Sequence, residues 1–272
     1  MLSVSERRAC KVLDQPRSTQ RRRPITADKD QVLIERMKEL SGQNPRYGYR
    51  RVWANLRREG WRVNRKRVQR LWQHAGLRVK AVQPRRRRIG SGENGCTVRR
   101  AEQPNHVWSY DFLLDRTEDG RQLKLMPVVD EYTRECLAIE VDRSITSTEV
   151  LGMLSRLIDE HGVPGYIRSD NGPEFIAGAI KSWLAQAGVG TLYIEPASPW
   201  QNGYSETFNS RFRDELLDRE IFTSLIEAKV VVEEHRQHYN RRRPHSALGY
   251  KTPTEFAELC RAEIRVAGPG LS

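Results

Sequence analysis

From Asn105 onward the apolar residues follow a rhythm that only a sheet with helices on its faces can satisfy. Alternating runs at 106–113, 121–129 and 136–141 read as strands, bounded by Asp119-Gly120 and by the polar stretch 131–134. A helix is expected over 147–160, with Val150, Leu154, Leu157 and Ile158 on one face and Gly162 and Pro164 ending it. A short strand at 165–169 runs into Asp170. A helix at 174–187, a strand at 191–194 and a helix at 202–219 complete the series. The order β-β-β-α-β-α-β-α predicts an α/β fold, a mixed sheet flanked by helices. In such sheets ligands sit outside the carboxyl ends of the strands.

Before Asn105 the texture differs. Residues 1–104 hold 28 Lys+Arg against 9 Asp+Glu, a net of +19, whereas residues 105–272 hold 19 against 26, a net of −7. The split assigns nucleic-acid binding to the first part and leaves an acidic remainder in which metal chemistry is sought. Residues 1–27 are polar and basic, and no packed core is expected there. Leu33, Met37 and Leu40 recur at helical spacing, so 28–40 is a short helix, broken by 42–45. Helices at 46–58 and 64–75 follow, the second with Asn64 as N-cap and an apolar stripe of Val68, Leu71, Trp72 and Ala75. Lys66, Arg67 and Arg70 lie off that stripe. Helix, glycine-containing turn and basic helix form a helix-turn-helix pattern that would dock on DNA; a solvated basic surface would give the same charges. Arg85, Arg86, Arg87 and Arg88 open a linker in which they could track phosphates or merely keep a tether in water. The expected organisation is a basic segment with a short helix (1–40), a helix-turn-helix domain (41–83), a basic linker (84–104), the sheet domain (105–222) and a helical C-terminal segment with its tail (223–272).

Cys10, Cys96, Cys136 and Cys260 are widely spaced, which suits reduced thiols and gives neither a disulfide framework nor a zinc finger. His235 and His238 have no cysteines at ligand spacing and are expected to be exposed helix residues. The start of the chain has no apolar stretch of signal-peptide length, and no segment nears the ~20 apolar residues of a membrane span. A cytoplasmic protein with access to DNA is expected.

Three acids stand in distinctive polar settings: Asp111 in W-S-Y-D-F, Asp170 in R-S-D-N-G-P-E-F and Glu206 in Q-N-G-Y-S-E-T-F-N, the last two separated by 35 residues. Converging carboxylates repel one another unless a cation joins them. Magnesium prefers such oxygen ligands, and two ions about 3.5–4 Å apart can serve an in-line phosphoryl displacement. Asn171-Gly172 would shape the turn presenting Asp170, with Gly172 free to adopt positive φ. Asp115, Asp119 and Asp130 fit loop and turn roles. Glu174 fits a helix start, and Trp108 and Trp200 fit packing rather than base stacking.

At these residues the chain resembles the DDE transposases with a ribonuclease H-like, retroviral-integrase-like core. It is most similar to the second-reading-frame product of the IS-three family of insertion sequences. R-Y-G-Y-R-R-V-W (46–53), N-H-V-W-S-Y-D-F (105–112), S-D-N-G-P-E-F (169–175), S-P-W-Q-N-G-Y-S-E-T-F-N (198–209) and Y-N-R-R-R-P-H-S-A-L-G-Y-K-T-P-T-E-F (239–256) carry the resemblance across most of the chain. The retroviral histidine/cysteine zinc module is absent from the sequence. The resemblance implies DNA cleavage at element ends and strand transfer, with Asp111, Asp170 and Glu206 binding two Mg2+ ions, for which Mn2+ may substitute. Arg213, seven residues and two helical turns after Glu206, matches a basic family position that would contact DNA phosphate. Expected partners are the terminal inverted repeats, target DNA, further copies of the chain, and a first-reading-frame protein or a fusion with it. The terminal segment would pack on the core, with the arginines 241–243 near DNA, and residues after Ala262 would form a disordered tail. Two other readings stay open on the residues alone. One is an accessory or regulatory DNA-binding protein inactive without its first-frame partner. The other is a ribonuclease acting on RNA·DNA hybrids, which leaves the helix-turn-helix unexplained.

Overall fold

The computed structural model describes residues 4–21, 28–79, 100–169, 178–193 and 203–267. They belong to two compact units, one helical and one built on a sheet. Among the described residues no helix is long and apolar enough to cross a membrane.

The helical unit centres on α3 (Asp28–Gln43), the start of α4 (Tyr49–Arg58) and α5 (Arg65–His74). Leu33, Met37 and Leu40 of α3, Val52 of α4, and Val68, Leu71 and Trp72 of α5 are buried, the residues that their spacing selects. Trp53 donates through Nε1 to the carbonyl of Val63 at 2.9 Å, fastening α4 to the turn before α5. Gly60 turns the chain at φ +89°, and Asn64 caps α5 by accepting from the Lys66 amide at 2.8 Å. The preceding segment is helical in part. It contains two short helices, α1 (Glu6–Val12) and α2 (Arg17–Gln20), clasped by Arg21 on Glu6 at 2.8 Å with Cys10 buried. Local helix formation and the ion pairs of Glu6 with Arg21 and Arg17 order it without a large core.

In the second unit, β1 (Val107–Tyr110), β2 (Leu113–Arg116), β3 (Gln122–Asp130), β4 (Cys136–Asp142), β5 (Tyr166–Ser169) and β6 (Gly190–Tyr193) form a six-stranded sheet among the described residues. β4 lies on one edge of β3. On its other edge β2 and β1 pair in succession, Leu113 opposite Leu125 and Ser109 opposite Val129. The expected single strand over 106–113 is therefore two, interrupted at Asp111-Phe112. β1 then pairs with β5, and β5 with β6, both in parallel.

Alternation along the strands gives the sheet two apolar faces. Trp108, Tyr110, Met126 and Val128 pack under α6 (Ser147–His161) and α7 (Gly178–Gln186) through Val150, Leu154, Leu157 and Leu184. Leu123, Leu125, Val129 and Val141 face α8 (Gly203–Phe212) and α9 (Leu225–Arg241) through Phe208, Phe212, Val232 and Tyr239. Trp108 is fully buried and donates to the side chain of Asn105 at 3.2 Å, a packing role. Turn roles hold for two of the aspartates. Asp119 accepts from the Arg121 amide at 3.1 Å within the β2–β3 turn. Asp130 accepts from the amides of Asn105, Tyr132 and Thr133 at 2.7, 2.8 and 2.9 Å. Burial still pushes the Asp130 carboxyl above its ordinary range.

After α8 the chain widens into a π-helical segment, Arg213–Leu217, and the closing part is more ordered than expected. α10 (Pro253–Ala267) continues into the stretch expected to be disordered after Ala262, helical as far as Ala267. Ala257 and Cys260 bury its inner side, and Arg261 binds Glu135 at 3.0 Å. Ala, Glu and Arg are good helix formers, so a run of small and charged residues was compatible with helix. His235 is not an exposed histidine. It lies against Phe212 with ring centroids 5.4 Å apart, and burial lowers its pKa to about 4; His238 is shifted the same way. A histidine whose folded pKa lies below its unfolded value contributes stability that is present above ~6.5 and lost as pH falls through the folded pKa. Lowering the pH from 7.5 to 4 should thus weaken the wild type by up to roughly 3 kcal/mol more than His235→Leu. Urea unfolding of both proteins across this range checks the difference, and parallel profiles would exclude His235 as the cause.

Candidate nucleic-acid-processing site

Asp111 occupies the break between β1 and β2. One carboxylate oxygen accepts from the Phe112 amide at 2.8 Å, a local bond that diverts the backbone from the ladder. The other accepts from the Asn209 side-chain amide at 2.9 Å. Asn209 lies on α8, three residues after Glu206, so one helical turn separates Glu206 from the group that holds Asp111. The helix is turned so that Phe208 and Phe212 are buried on the sheet while Glu206 is exposed. Glu206 is also in the first turn, where the helix dipole favours a negative charge.

Two further contacts fix α8. Ahead of Glu206, the Tyr204 ring lies under the Arg134 guanidinium, 3.8 Å from its centroid, with Arg134 at φ +65° in the β3–β4 turn. Beyond Glu206, Arg213 donates to the Leu114 carbonyl of β2 at 3.3 Å while its side chain remains exposed. Asn209 of α8 and Arg213 just after it thus both reach the β1–β2 segment, at Asp111 and at Leu114. Asp170, Asn171, Gly172, Glu174 and Trp200 lie outside the described residues, as do Arg85, Arg86, Arg87 and Arg88. Among the described residues no group of three His, Cys, Asp or Glu side chains is placed to hold a metal ion.

Reading by residue type missed Asn209, Arg134 and Tyr204. A signal for Asn209 was available, a polar residue between Phe208 and Phe212 on an otherwise apolar helix face. Its partner, 98 positions earlier, was not visible. On α5 the basic set divides. Lys66 and Arg70 are exposed, whereas Arg67 is drawn onto Asp30 of α3, with Nε 2.8 Å from the carboxylate. Its charge braces the helical unit.

The comparisons with known proteins agree with this architecture. The family described as "Integrase core domain" matches residues 101–199 and again 187–253, and an "HTH-like domain" matches residues 27–88. The 31.7 kDa protein of insertion element IS407 from Burkholderia multivorans is 41% identical over 261 residues, covering 96% of this chain and 93% of that protein. The chain belongs to the insertion-sequence transposases of the IS-three family. Transposase InsD of element IS2D from Escherichia coli K12 is 29% identical over 250 residues, covering 86% of this transposase and 81% of InsD. Among solved structures, the HTLV-2 integrase catalytic core domain in complex with magnesium aligns with 58% of this chain and 99% of its own. The TM-score is 0.47 and the identity 20%. The sheet unit of the transposase is an integrase core, a mixed sheet flanked by helices, and its helical unit is an HTH-like domain.

The Asn209–Asp111 bond makes a test that is independent of catalysis. Asn209→Asp would set two carboxylates within hydrogen-bond reach, raising their pKa values by mutual repulsion. At pH 7 it should cost about 1–3 kcal/mol more than Asn209→Ala. That gap should close as pH is lowered to ~4, because the penalty exists only while both acids are ionised. Equal urea midpoints for the two variants at pH 7 would show that the side chains do not meet.

Proposed function

We propose that this transposase cleaves DNA at the ends of its insertion sequence and transfers the resulting 3′-hydroxyl to a new phosphate. Asp111, Asp170 and Glu206 are the proposed catalytic acids and ligands of two divalent ions, magnesium or in its place manganese. The Asn209–Asp111 bond carries the reading, because it brings the helix of Glu206 to the strand end that presents Asp111. Further support comes from the pairing of β1 with β5. They run parallel with Ser109 opposite Arg168, so both strands leave the sheet on the same side; Asp111 follows the first and Asp170 the second in sequence.

The donor set suits a hard cation: every proposed ligand is a carboxylate, Glu206 is open to solvent and Asp111 is half-buried. When bound, paired ions lower the barrier by stabilising the attacking and leaving oxygens of an in-line displacement. The chain supplies the remainder. Asn209 holds one Asp111 oxygen and the Phe112 amide the other, fixing the plane of the carboxylate. Exposed Arg213 offers charge to a DNA phosphate beside Glu206. Lys66 and Arg70 of the HTH-like unit, with Arg85, Arg86, Arg87 and Arg88 of the linker, engage phosphates along the element end. Arg67, paired with Asp30, is the least available of the proposed contacts. The working particle is an oligomer of at least two copies on DNA, with a first-reading-frame protein or segment as partner, acting on the nucleoid in the cytoplasm.

Full-length protein, duplex DNA carrying an element end, and magnesium provide the test. Asp111→Asn, Asp170→Asn and Glu206→Gln should each slow strand cleavage about 10³-fold or more, equivalent to roughly 4 kcal/mol of transition-state stabilisation. End binding in a gel-shift assay should stay near the wild-type level. A variant that cuts at the wild-type rate removes that residue from the site.

A further inference from the structure

The closing motif Y-N-R-R-R-P-H (239–245) grips the helix of Glu206 from behind. Arg243 forms a two-pronged pair with Glu215, Nε to Oε2 and Nη2 to Oε1 both at 2.7 Å, with side chains only 4% and 8% exposed. Its remaining Nη1 lies 3.0 Å from His245 Nε2. Tyr239 stands edge-on to Phe208, two residues after Glu206, with ring centroids 4.9 Å apart. Between these contacts, Asn240 bonds both the amide and the carbonyl of Cys136 on β4, at 2.9 and 2.8 Å. The motif is therefore bolted to the sheet at Asn240 and to the Glu206 helix at Phe208 and Glu215.

A buried ion pair is a poor source of stability, because desolvation of both charges offsets their attraction. What a planar guanidinium–carboxylate fork does provide is geometric definition. Glu215 follows Glu206 by nine residues, just past the end of α8. The two carboxylates have opposite fates, Glu215 buried against Arg243 and Glu206 in solvent. Glu215 is also inside the π-helical segment Arg213–Leu217, an irregularity of the kind that recurs at functional sites. Anchoring Glu215 fixes the rotation of α8, and with it the direction in which Glu206 projects.

We infer that Glu215 and Arg243 are a positioning pair for strand cleavage, setting Glu206 relative to Asp111 through the rotation of α8. The inference rests on the proposed catalytic role of Glu206. Its test uses the full-length transposase, single-turnover cleavage of element-end duplex at saturating DNA, and magnesium titration. Glu215→Gln should cut roughly tenfold more slowly and need several-fold more magnesium for half-maximal rate, as expected when the support of a metal ligand is loosened. Its affinity for end DNA should be unchanged within twofold. The double variant Glu215→Met/Arg243→Met replaces the charges with apolar side chains that can fill the space. It should regain the wild-type unfolding midpoint yet keep the slow rate and the raised magnesium requirement. A folded double variant with wild-type rate and metal requirement overturns the inference. So does failure of both variants to fold, since the pair would then serve the fold itself. Cleavage by Glu206→Gln at the wild-type rate defeats the catalytic assignment instead, whatever the Glu215 variants do.

Discussion

The covering of one sheet on both faces governs the rest of the structure. β1 and β3 have Trp108, Tyr110, Met126 and Val128 on one side and Leu125 and Val129 on the other, so neither side can be left to water. Parallel pairing of β1 with β5 requires a crossover, which α6 supplies on the first face. The second face must then be closed by later sequence, and α8 and α9 close it. α8, which bears Glu206, reaches Asp111 after β1 because that helix is needed to cover Leu125 and Val129. Packing brings the helix there; the polar contacts refine its position.

Those polar contacts are few and long in range. Asn209 joins α8 to Asp111, Arg134 holds Tyr204, and Arg243 holds Glu215. A second buried pair, at 2.8 Å, joins Arg168 of the strand that leads to Asp170 to Glu131 just after β3. Burial raises the Glu131 carboxyl and the Arg168 cation opposes that rise. Each such group is costly to bury alone and specific when paired. They therefore act on orientation, while the apolar faces supply most of the cohesion.

Much of this was legible in the sequence because it is local. The apolar rhythm marked most strands and helices to within a few residues, Asn64 announced the start of α5, and the glycine-containing turns fell where expected. What was hidden depends on residues far apart. The break between β1 and β2 leaves the alternation of Phe112 and Leu113 intact, so only the bond from Asp111 to its neighbour's amide reveals it. Arg67 looked like its neighbours until Asp30, 37 residues earlier, claimed it. His235 has the composition of a surface histidine, and its burial comes from Phe212 on another helix. For the site, the setting of Asp111 and Glu206 was readable from their polar surroundings. The residues that orient them were not, since nothing local distinguishes a structural asparagine or arginine from a solvated one.

That difference bears on how an integrase core can change without losing its chemistry. The proposed acids are tied to the sheet by side chains from three separate segments: the β3–β4 turn through Arg134, α8 itself through Asn209, and the closing motif through Arg243. Rotation of a helix is poorly constrained by apolar packing alone, because phenylalanine and leucine accept a range of angles at little cost. A forked ion pair accepts few. Placing such a pair in the buried segment just after α8 keeps its own charges out of solvent, where Glu206 is exposed. Orientation is thus controlled from the dry side of α8, and the wet side is left free for the charge that Glu206 would contribute to phosphoryl transfer.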